Sequence, residues 1–96
     1  MTRSSISIEK RNDDVFEVTV VDSITTTHEV TITDQSLSDL SENNVTKIQL
    51  LEFSFRFLLD REPNTSILSS FDINVISRYF SNYKDEVRRW CDENRR

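Results

Sequence analysis

Residues 48–59 read Ile-Gln-Leu-Leu-Glu-Phe-Ser-Phe-Arg-Phe-Leu-Leu, and they are followed by Asp60-Arg61-Glu62-Pro63. When this stretch is placed on a helix at about 100° per residue, its apolar side chains form two stripes on roughly opposite sides. The first stripe contains Ile48, Leu51, Phe55, Leu58 and Leu59, and the second contains Leu50, Phe53 and Phe57. We therefore predict a central helix that is covered twice, by the N-terminal segment on one side and by the C-terminal segment or a partner chain on the other.

Polar and charged residues define the ends and the exposed surface of this helix. Glu52, Arg56 and Asp60 are spaced four apart and alternate in sign, which is typical of a solvated ladder of salt bridges. Thr46, with Gln49 three residues later, predicts a capping box at the start. Pro63 predicts the end, because the residue before a proline is disfavoured in the helical conformation.

The N-terminal third, residues 4–33, predicts three antiparallel strands in a meander. Apolar and polar residues alternate through this region, and polar turn residues interrupt the pattern at 11–14 and 22–23. One face then carries Ile6, Ile8, Phe16, Val18, Val20, His28, Val30 and Ile32. A small sheet with one apolar face is only marginally stable alone, so we expect that face to rest on helices.

The remaining residues, 34–93, predict three to four helices around the central one. A short helix over 34–42 carries Leu37 and Leu40, and Asn43-Asn44 is expected to replace glycine at its C-terminal cap. Residues 64–70 predict a short turn or a single helical coil that buries Ile67 and Leu68. Asp72 caps a last helical segment with one regular apolar seam, which consists of Ile73, Ile76, Phe80, Tyr83, Val87 and Trp90.

This last helical segment contains a candidate break at Ser81-Asn82. Asparagine disfavours helix interiors, and Asp85-Glu86 would suit the first turn of a new helix. Together the patterns predict an α+β fold, with a three-stranded antiparallel meander packed on a C-terminal helical half. We expect the 96 residues to form a single domain spanning 1–96, since a chain of this length can build one core.

Composition limits the functions that this chain can perform. The sequence contains no glycine, and Gly-rich phosphate loops, dinucleotide fingerprints and nucleophile elbows all depend on glycine. The single cysteine, Cys91, forms no internal disulfide and fits a reducing compartment, so we expect a cytoplasmic location. The apolar stretches are too short or too interrupted for a signal peptide or a membrane span, and we expect no membrane association.

The net charge of −5 is unevenly distributed. Residues 1–48 hold four Lys/Arg against nine Asp/Glu, whereas residues 49–96 hold eight of each. An acidic surface repels phosphate backbones, so the protein could bind nucleic acid only through its C-terminal half. We expect no strong binding to nucleic acid.

Three motifs follow one another in the second half of the chain: Ser54-Phe55-Arg56-Phe57-Leu58-Leu59-Asp60-Arg61-Glu62-Pro63, Ile67-Leu68-Ser69-Ser70-Phe71-Asp72 and Ile76-Ser77-Arg78-Tyr79-Phe80. On these motifs the chain resembles a family of short uncharacterised prokaryotic proteins, over roughly residues 15–90. Members of that family usually continue the Arg-Tyr-Phe segment with proline, where this sequence has Ser81-Asn82. The resemblance implies a bacterial or archaeal cytoplasmic protein with a strand hairpin and this helix, and it implies no particular activity.

Few residues suggest chemistry. His28 is the only histidine, and it lies in phase with Val30 and Ile32, so we interpret it as a residue at the border of the core rather than a catalytic base. Cys91 lies beside Trp90 on the apolar seam and is interpreted as a packed thiol. A structural zinc site needs about four Cys/His ligands, and the chain has two, so we predict no catalytic residues, no metal and no cofactor.

Five residues are candidates for partner binding, because arginine and tyrosine are enriched at interfaces. They are Arg56, Arg78, Tyr79, Arg88 and Arg89. The leading hypothesis is a small non-enzymatic interaction protein, monomeric or homodimeric, with an unknown protein partner. The alternative is a nucleic-acid-associated or regulatory module that acts through the Arg-bearing C-terminal helices, in which the helices on either side of Pro63 would form a helix-turn-helix.

Overall fold

The structure, a computed structural model, describes residues 5–42 and 45–94. Four strands form one sheet in the order β1-β2-β3-β4, and four helices and two short 3-10 turns complete the described chain. The strands are β1 Ser5–Lys10, β2 Val15–Val21, β3 Thr25–Thr31 and β4 Ser70–Asp72. The helices are α1 Asp34–Ser41, α2 Lys47–Leu59, α3 Ile76–Tyr79 and α4 Tyr83–Asn94, and the 3-10 turns are Asn64–Ser66 and Ile73–Val75. The predicted α+β class is confirmed.

The predicted meander is present but does not make up the whole sheet. β1, β2 and β3 pair antiparallel, and β4 adds to β3 in parallel, within the part of the chain for which we predicted only helices and turns. The Ser69 carbonyl accepts the Glu29 N–H at 2.8 Å at the start of this pairing. A strand of three residues is too short to show an alternating pattern, so its strand conformation depends on pairing with β3.

Helix α2 is the centre of the core, and both of its apolar stripes are covered. On the sheet side, the centroid of the Phe55 ring lies 5.4 Å from the centroid of the His28 ring and 6.1 Å from that of the Phe71 ring. On the opposite side, the Phe57 and Tyr83 ring centroids lie 5.3 Å apart, and Phe53 stacks on Trp90 with a centroid distance of 4.6 Å. The meander with β4 therefore covers one stripe and the C-terminal seam covers the other.

The ends and the exposed surface of α2 agree with the predictions made from the sequence, with two exceptions. The capping box is present, with Gln49 N–H bonded to Thr46 Oγ1 at 3.1 Å and Thr46 N–H bonded to Gln49 Oε1 at 2.9 Å. Ile48, predicted to belong to the first stripe, is 44% exposed because it lies on the first turn, beyond the main part of the core. The predicted salt-bridge ladder is also wrong.

The three ladder residues are exposed, but they do not pair. Among the residues that the structure describes, Glu52, Arg56 and Asp60 form no ion pair with one another. An exposed pair gains little Coulomb energy in water and loses side-chain entropy, which leaves such residues free to remain hydrated.

Helix α1 ends one residue earlier than predicted. Glu42 follows it with φ of 54° and ψ of 34°, and its N–H donates to the Ser38 carbonyl at 2.8 Å. In this chain without glycine, the left-handed cap is therefore a glutamate. The prediction that Asn43-Asn44 provides this cap falls on residues outside the described part of the chain, and the observed cap precedes them.

The C-terminal seam is confirmed, and so is its interruption. Phe80 adopts an extended conformation, with φ of −128° and ψ of 99°, and it separates α3 from α4. Ile73, Ile76, Tyr83 and Val87 are buried all the same, because the break preserves the side of the chain that faces α2. None of the helices in the described ranges combines the length and apolar character that a membrane span needs.

Candidate functional site

The principal candidate site is an apolar groove with a volume of about 400 Å³, between the end of α2, the segment leading into β4, and α3. A cleft of this size falls within the range of ligand and peptide sites. We call it the apolar groove; its lining residues are Leu58, Glu62, Ser66, Ile67, Leu68, Phe71, Val75, Ile76, Tyr79 and Phe80.

The lining divides into a buried floor and an exposed rim. Leu58, Ile67 and Ile76 are buried and form the floor. Leu68 and Tyr79 are 47% and 69% exposed, and they form the apolar part of the rim. The prediction that Leu68 is buried beside Ile67 is wrong, because Leu68 lies on the exposed rim of the groove while Ile67 lies on its floor.

A chain of hydrogen bonds fixes the segment that carries Ile67 and Leu68. The buried Asn64 amide donates to the Ile24 carbonyl at 2.7 Å and to Thr26 Oγ1 at 2.9 Å. Thr26 Oγ1 lies 2.8 Å from His28 Nε2, and His28 Nδ1 lies 2.7 Å from the Leu68 carbonyl. Since a carbonyl only accepts, Nδ1 carries the proton, and in the neutral imidazole Nε2 accepts from the Thr26 hydroxyl.

These contacts give His28 a positioning role. Its side chain is buried, and both ring nitrogens are engaged in holding the groove segment against the sheet. We predicted His28 at the border of the core, and the structure places it inside the core, with 2% of its surface exposed. Cys91 is buried on the seam, as predicted for a packed thiol.

Among the lining residues within 5–42 and 45–94, Glu62 is the only charged one. It is half-buried, and within residues 5–42 and 45–94 no hydrogen bond or ion pair engages its carboxylate. The neighbouring Arg61 does not neutralise it, because that guanidinium lies 3.6 Å above the Phe57 ring and donates to the Phe57 carbonyl at 2.9 Å. The groove is thus apolar with one negative group at its side.

The structure brings one of the five predicted partner-binding residues to this groove. Tyr79 lines it, whereas Arg56, Arg78, Arg88 and Arg89 are exposed and do not. Arg89 pairs with Glu86 at 3.5 Å along α4. Sequence reasoning did not find Glu62, Leu68 or Phe71 as site residues, because they come from three segments whose proximity depends on β4.

A second depression, of about 340 Å³, surrounds the start of α2 and has a structural role. The Lys47 ammonium, on a largely buried side chain, lies 2.9 Å from Asp34 and 3.2 Å from Asp14. Desolvation lowers the pKa of Lys47, but the hydrogen bonds and charges of Asp34 and Asp14 outweigh that effect and raise the pKa. Lys47 therefore joins the first hairpin, α1 and α2 as a protonated cross-link.

A third polar feature lies inside the core. The Ser54 hydroxyl lies 2.7 Å from the Leu50 carbonyl and 2.6 Å from the Tyr83 hydroxyl. Because the single Ser54 proton goes to the carbonyl, Tyr83 donates to Ser54. Burial raises the pKa of the Tyr83 phenol well above its usual value. This pair links α2 to α4 and leaves both hydroxyl groups satisfied.

Comparison of the chain with protein-family models, with curated proteins and with solved structures gave no match. Among the described residues, no group of three or more His, Cys, Asp and Glu side chains is arranged to hold a metal ion.

Proposed function

We propose that this protein is a small non-enzymatic interaction protein of the cytoplasm, and that its apolar groove binds a segment of a partner protein. The observation that carries the proposal is the exposure of Leu68 and Tyr79 beside a buried apolar floor. Exposed apolar side chains around a concave surface are typical of recognition sites, and tyrosine is enriched among the residues that dominate binding.

The position of β4 supports binding of an extended segment. In the parallel register, Ser70 pairs with Glu29 and Phe71 with Val30, and the Glu29 N–H bonds to the Ser69 carbonyl. The N–H and C=O of Phe71 then face β3, and those of the exposed Ser70 face away from it. A partner strand can use such outward groups for backbone hydrogen bonds while its side chains enter an adjacent groove.

Two buried residues support the non-enzymatic and cytoplasmic parts of the proposal. His28 holds the groove segment with both ring nitrogens, which leaves neither for acid–base chemistry with a substrate. Cys91 is a buried thiol, and a protein whose only cysteine is packed as a thiol fits a reducing compartment.

Selection of short random peptides displayed on phage tests the proposal directly. The immobilised proteins would be the wild type, Leu68→Ser and Val21→Ser. Val21 is a matched control, because it is 46% exposed, close to the 47% of Leu68, but does not line the groove. Synthetic versions of the selected peptides are expected to bind the wild type and Val21→Ser equally, and to bind Leu68→Ser at least about fivefold more weakly, the equivalent of about 1 kcal/mol.

Nuclear magnetic resonance locates the bound peptide. Amide shifts should concentrate at Leu68, Phe71 and Tyr79 if the groove is the site. The proposal is contradicted if no peptide binds the wild type, or if the selected peptides bind Leu68→Ser as tightly as the wild type.

The alternative, a nucleic-acid-associated module, depends on α4. Arg88 and Arg89 are exposed on this helix, although Glu86 already pairs with Arg89. Submicromolar binding to duplex DNA at physiological salt, abolished by Arg88→Ala with Arg89→Ala, would favour this alternative. We expect no such binding, because the sequence pI is about 4.8 and phosphate contacts require several cations on one surface.

A further inference from the structure

We infer that the partner segment carries a lysine or arginine next to its apolar anchor, and that this cation binds Glu62. The inference rests on the proposed function, since it names the chemistry of the segment that enters the apolar groove. Among the described residues that line the groove, Glu62 is the only charged one, so it is the group that can select for the charge of a partner.

The Glu62 carboxylate is available for a partner. It is half-buried, and the described chain provides neither a hydrogen bond nor an ion pair for it. Arg61, the nearest cation along the chain, is held on the Phe57 ring and on the Phe57 carbonyl. A half-buried carboxylate at the side of an apolar cleft loses hydration when an apolar segment covers it, so binding of a neutral segment would be penalised.

The end of α2 strengthens the preference for a cation. Glu62 follows the C-terminus of this thirteen-residue helix, where the aligned peptide dipoles give a partial negative charge. Asp60, the C-terminal cap of α2, adds a second carboxylate nearby in the chain. Both effects favour a positive group at this end of the groove, and both disfavour an acidic segment.

The geometry also favours a peptide over a small amine. The outward N–H and C=O of Ser70 lie on β4, whose Phe71 lines the groove, so an extended chain can bond to the strand while it occupies the cleft. A lysine or arginine stem is itself apolar and can lie along the groove wall with its charged end at Glu62.

A double-mutant cycle between protein and peptide tests the inference. The probe is a synthetic peptide taken from the phage selection on the wild type, together with the same peptide with each lysine or arginine replaced by glutamine. Both are titrated by fluorescence polarisation against the wild type, Glu62→Gln and Glu52→Gln. Glu52 is the matched control, because it is an exposed glutamate of α2 that does not line the groove.

The cationic peptide is expected to bind Glu62→Gln about three- to tenfold more weakly than the wild type, and Glu52→Gln as tightly as the wild type. The glutamine version should bind Glu62→Gln at least as tightly as the wild type, because that variant has no carboxylate to desolvate. Glu62→Lys supplies a second check, because the order of preference between the peptide and an acidic version should reverse.

The outcomes separate this inference from the proposed function. If Leu68→Ser weakens binding but the peptide charge and Glu62 show no coupling, the cation preference is refuted and the groove remains the binding site. If binding is absent, or is indifferent to Leu68→Ser, the groove function itself fails, and the inference fails with it. Selected peptides without any lysine or arginine would also refute the cation preference.

Discussion

The hydroxyl pair formed by Ser54 and Tyr83 offers a quantitative test of the core. Tyr83 donates to Ser54 at 2.6 Å, and Ser54 donates to the Leu50 carbonyl at 2.7 Å, with both side chains fully buried. Ser54→Ala leaves the phenol without an acceptor in the core, which should cost about 1–3 kcal/mol. Tyr83→Phe removes one hydrogen bond but leaves Ser54 bonded to the carbonyl, which should cost about 0.5–1.5 kcal/mol.

The double variant is expected to cost less than the sum of the two single changes. It loses the same hydrogen bond as Tyr83→Phe, and it contains no unsatisfied phenol. We take costs of about 2 kcal/mol for Ser54→Ala, about 1 kcal/mol for Tyr83→Phe and about 1 kcal/mol for the double variant. The sum of the single costs then exceeds the cost of the double variant by a coupling free energy on the order of 2 kcal/mol. A coupling of this size is well above the scatter of independent sites.

Urea unfolding followed by far-ultraviolet circular dichroism measures all four proteins, and equal m-values would confirm that the same transition is compared. Ser77→Ala provides the control, because Ser77 also donates to a carbonyl in its own helical segment, that of Asn74 at 2.9 Å, without a tyrosine partner. Its cost should add to that of Tyr83→Phe. Additive costs for Ser54→Ala and Tyr83→Phe would refute the coupling between the two hydroxyl groups.

Three further predictions concern backbone strain, assembly and pH. Glu42→Gly should be neutral or stabilising by up to about 1 kcal/mol, because glycine tolerates the φ of 54°, whereas Glu42→Val should destabilise; equal melting temperatures would contradict the left-handed cap. Phe53→Asp should lower the free energy of unfolding by about 2–4 kcal/mol through loss of the stack on Trp90, without changing the oligomeric state. If size-exclusion chromatography shows a dimeric wild type and a folded monomeric variant, this face is an interface. In Tyr79→Phe, where Tyr83 is the only tyrosine, the contribution of Tyr83 to stability should be complete below pH about 10 and be lost as the pH rises above it, because the folded state retains the proton that the unfolded state releases. Tyrosinate absorbance should rise only as the helical signal disappears, and phenolate in a folded protein would contradict the burial of Tyr83.

The elements that sequence reasoning predicted are those with long periodic patterns. The alternation around Val18 and Val30 predicted the meander, and the two stripes around Phe55 and Phe57 predicted a helix covered on both sides. Each pattern repeats over several residues of one segment, so local spacing is enough to define the buried face. The apolar seam was also predicted across its break, because Tyr83 keeps the phase set by Ile76.

The groove could be predicted only in part. Tyr79 was identified by residue type, but Leu68 was placed in the core and Glu62 was not considered. Their roles depend on β4, which has three residues and is a strand only because β3 pairs with it. The link from Lys47 to Asp14 shows the same limit, since the partners lie 33 residues apart and no spacing rule connects them.

The parallel addition of β4 also has a consequence for the order of folding. His28 and the Leu68 carbonyl, which meet where this pairing begins, are 40 residues apart, whereas the three strands of the meander join through short turns. Closing such a long loop costs more chain entropy than closing a hairpin, so contacts between residues this far apart form late in folding. Where only a few such contacts hold a segment, that segment is also among the first to unfold locally. We expect the meander and α2 to associate before β4 joins them. The apolar groove, which β4 helps to line, is then among the last parts of the molecule to assemble, and a chain that has not completed its sheet lacks this groove.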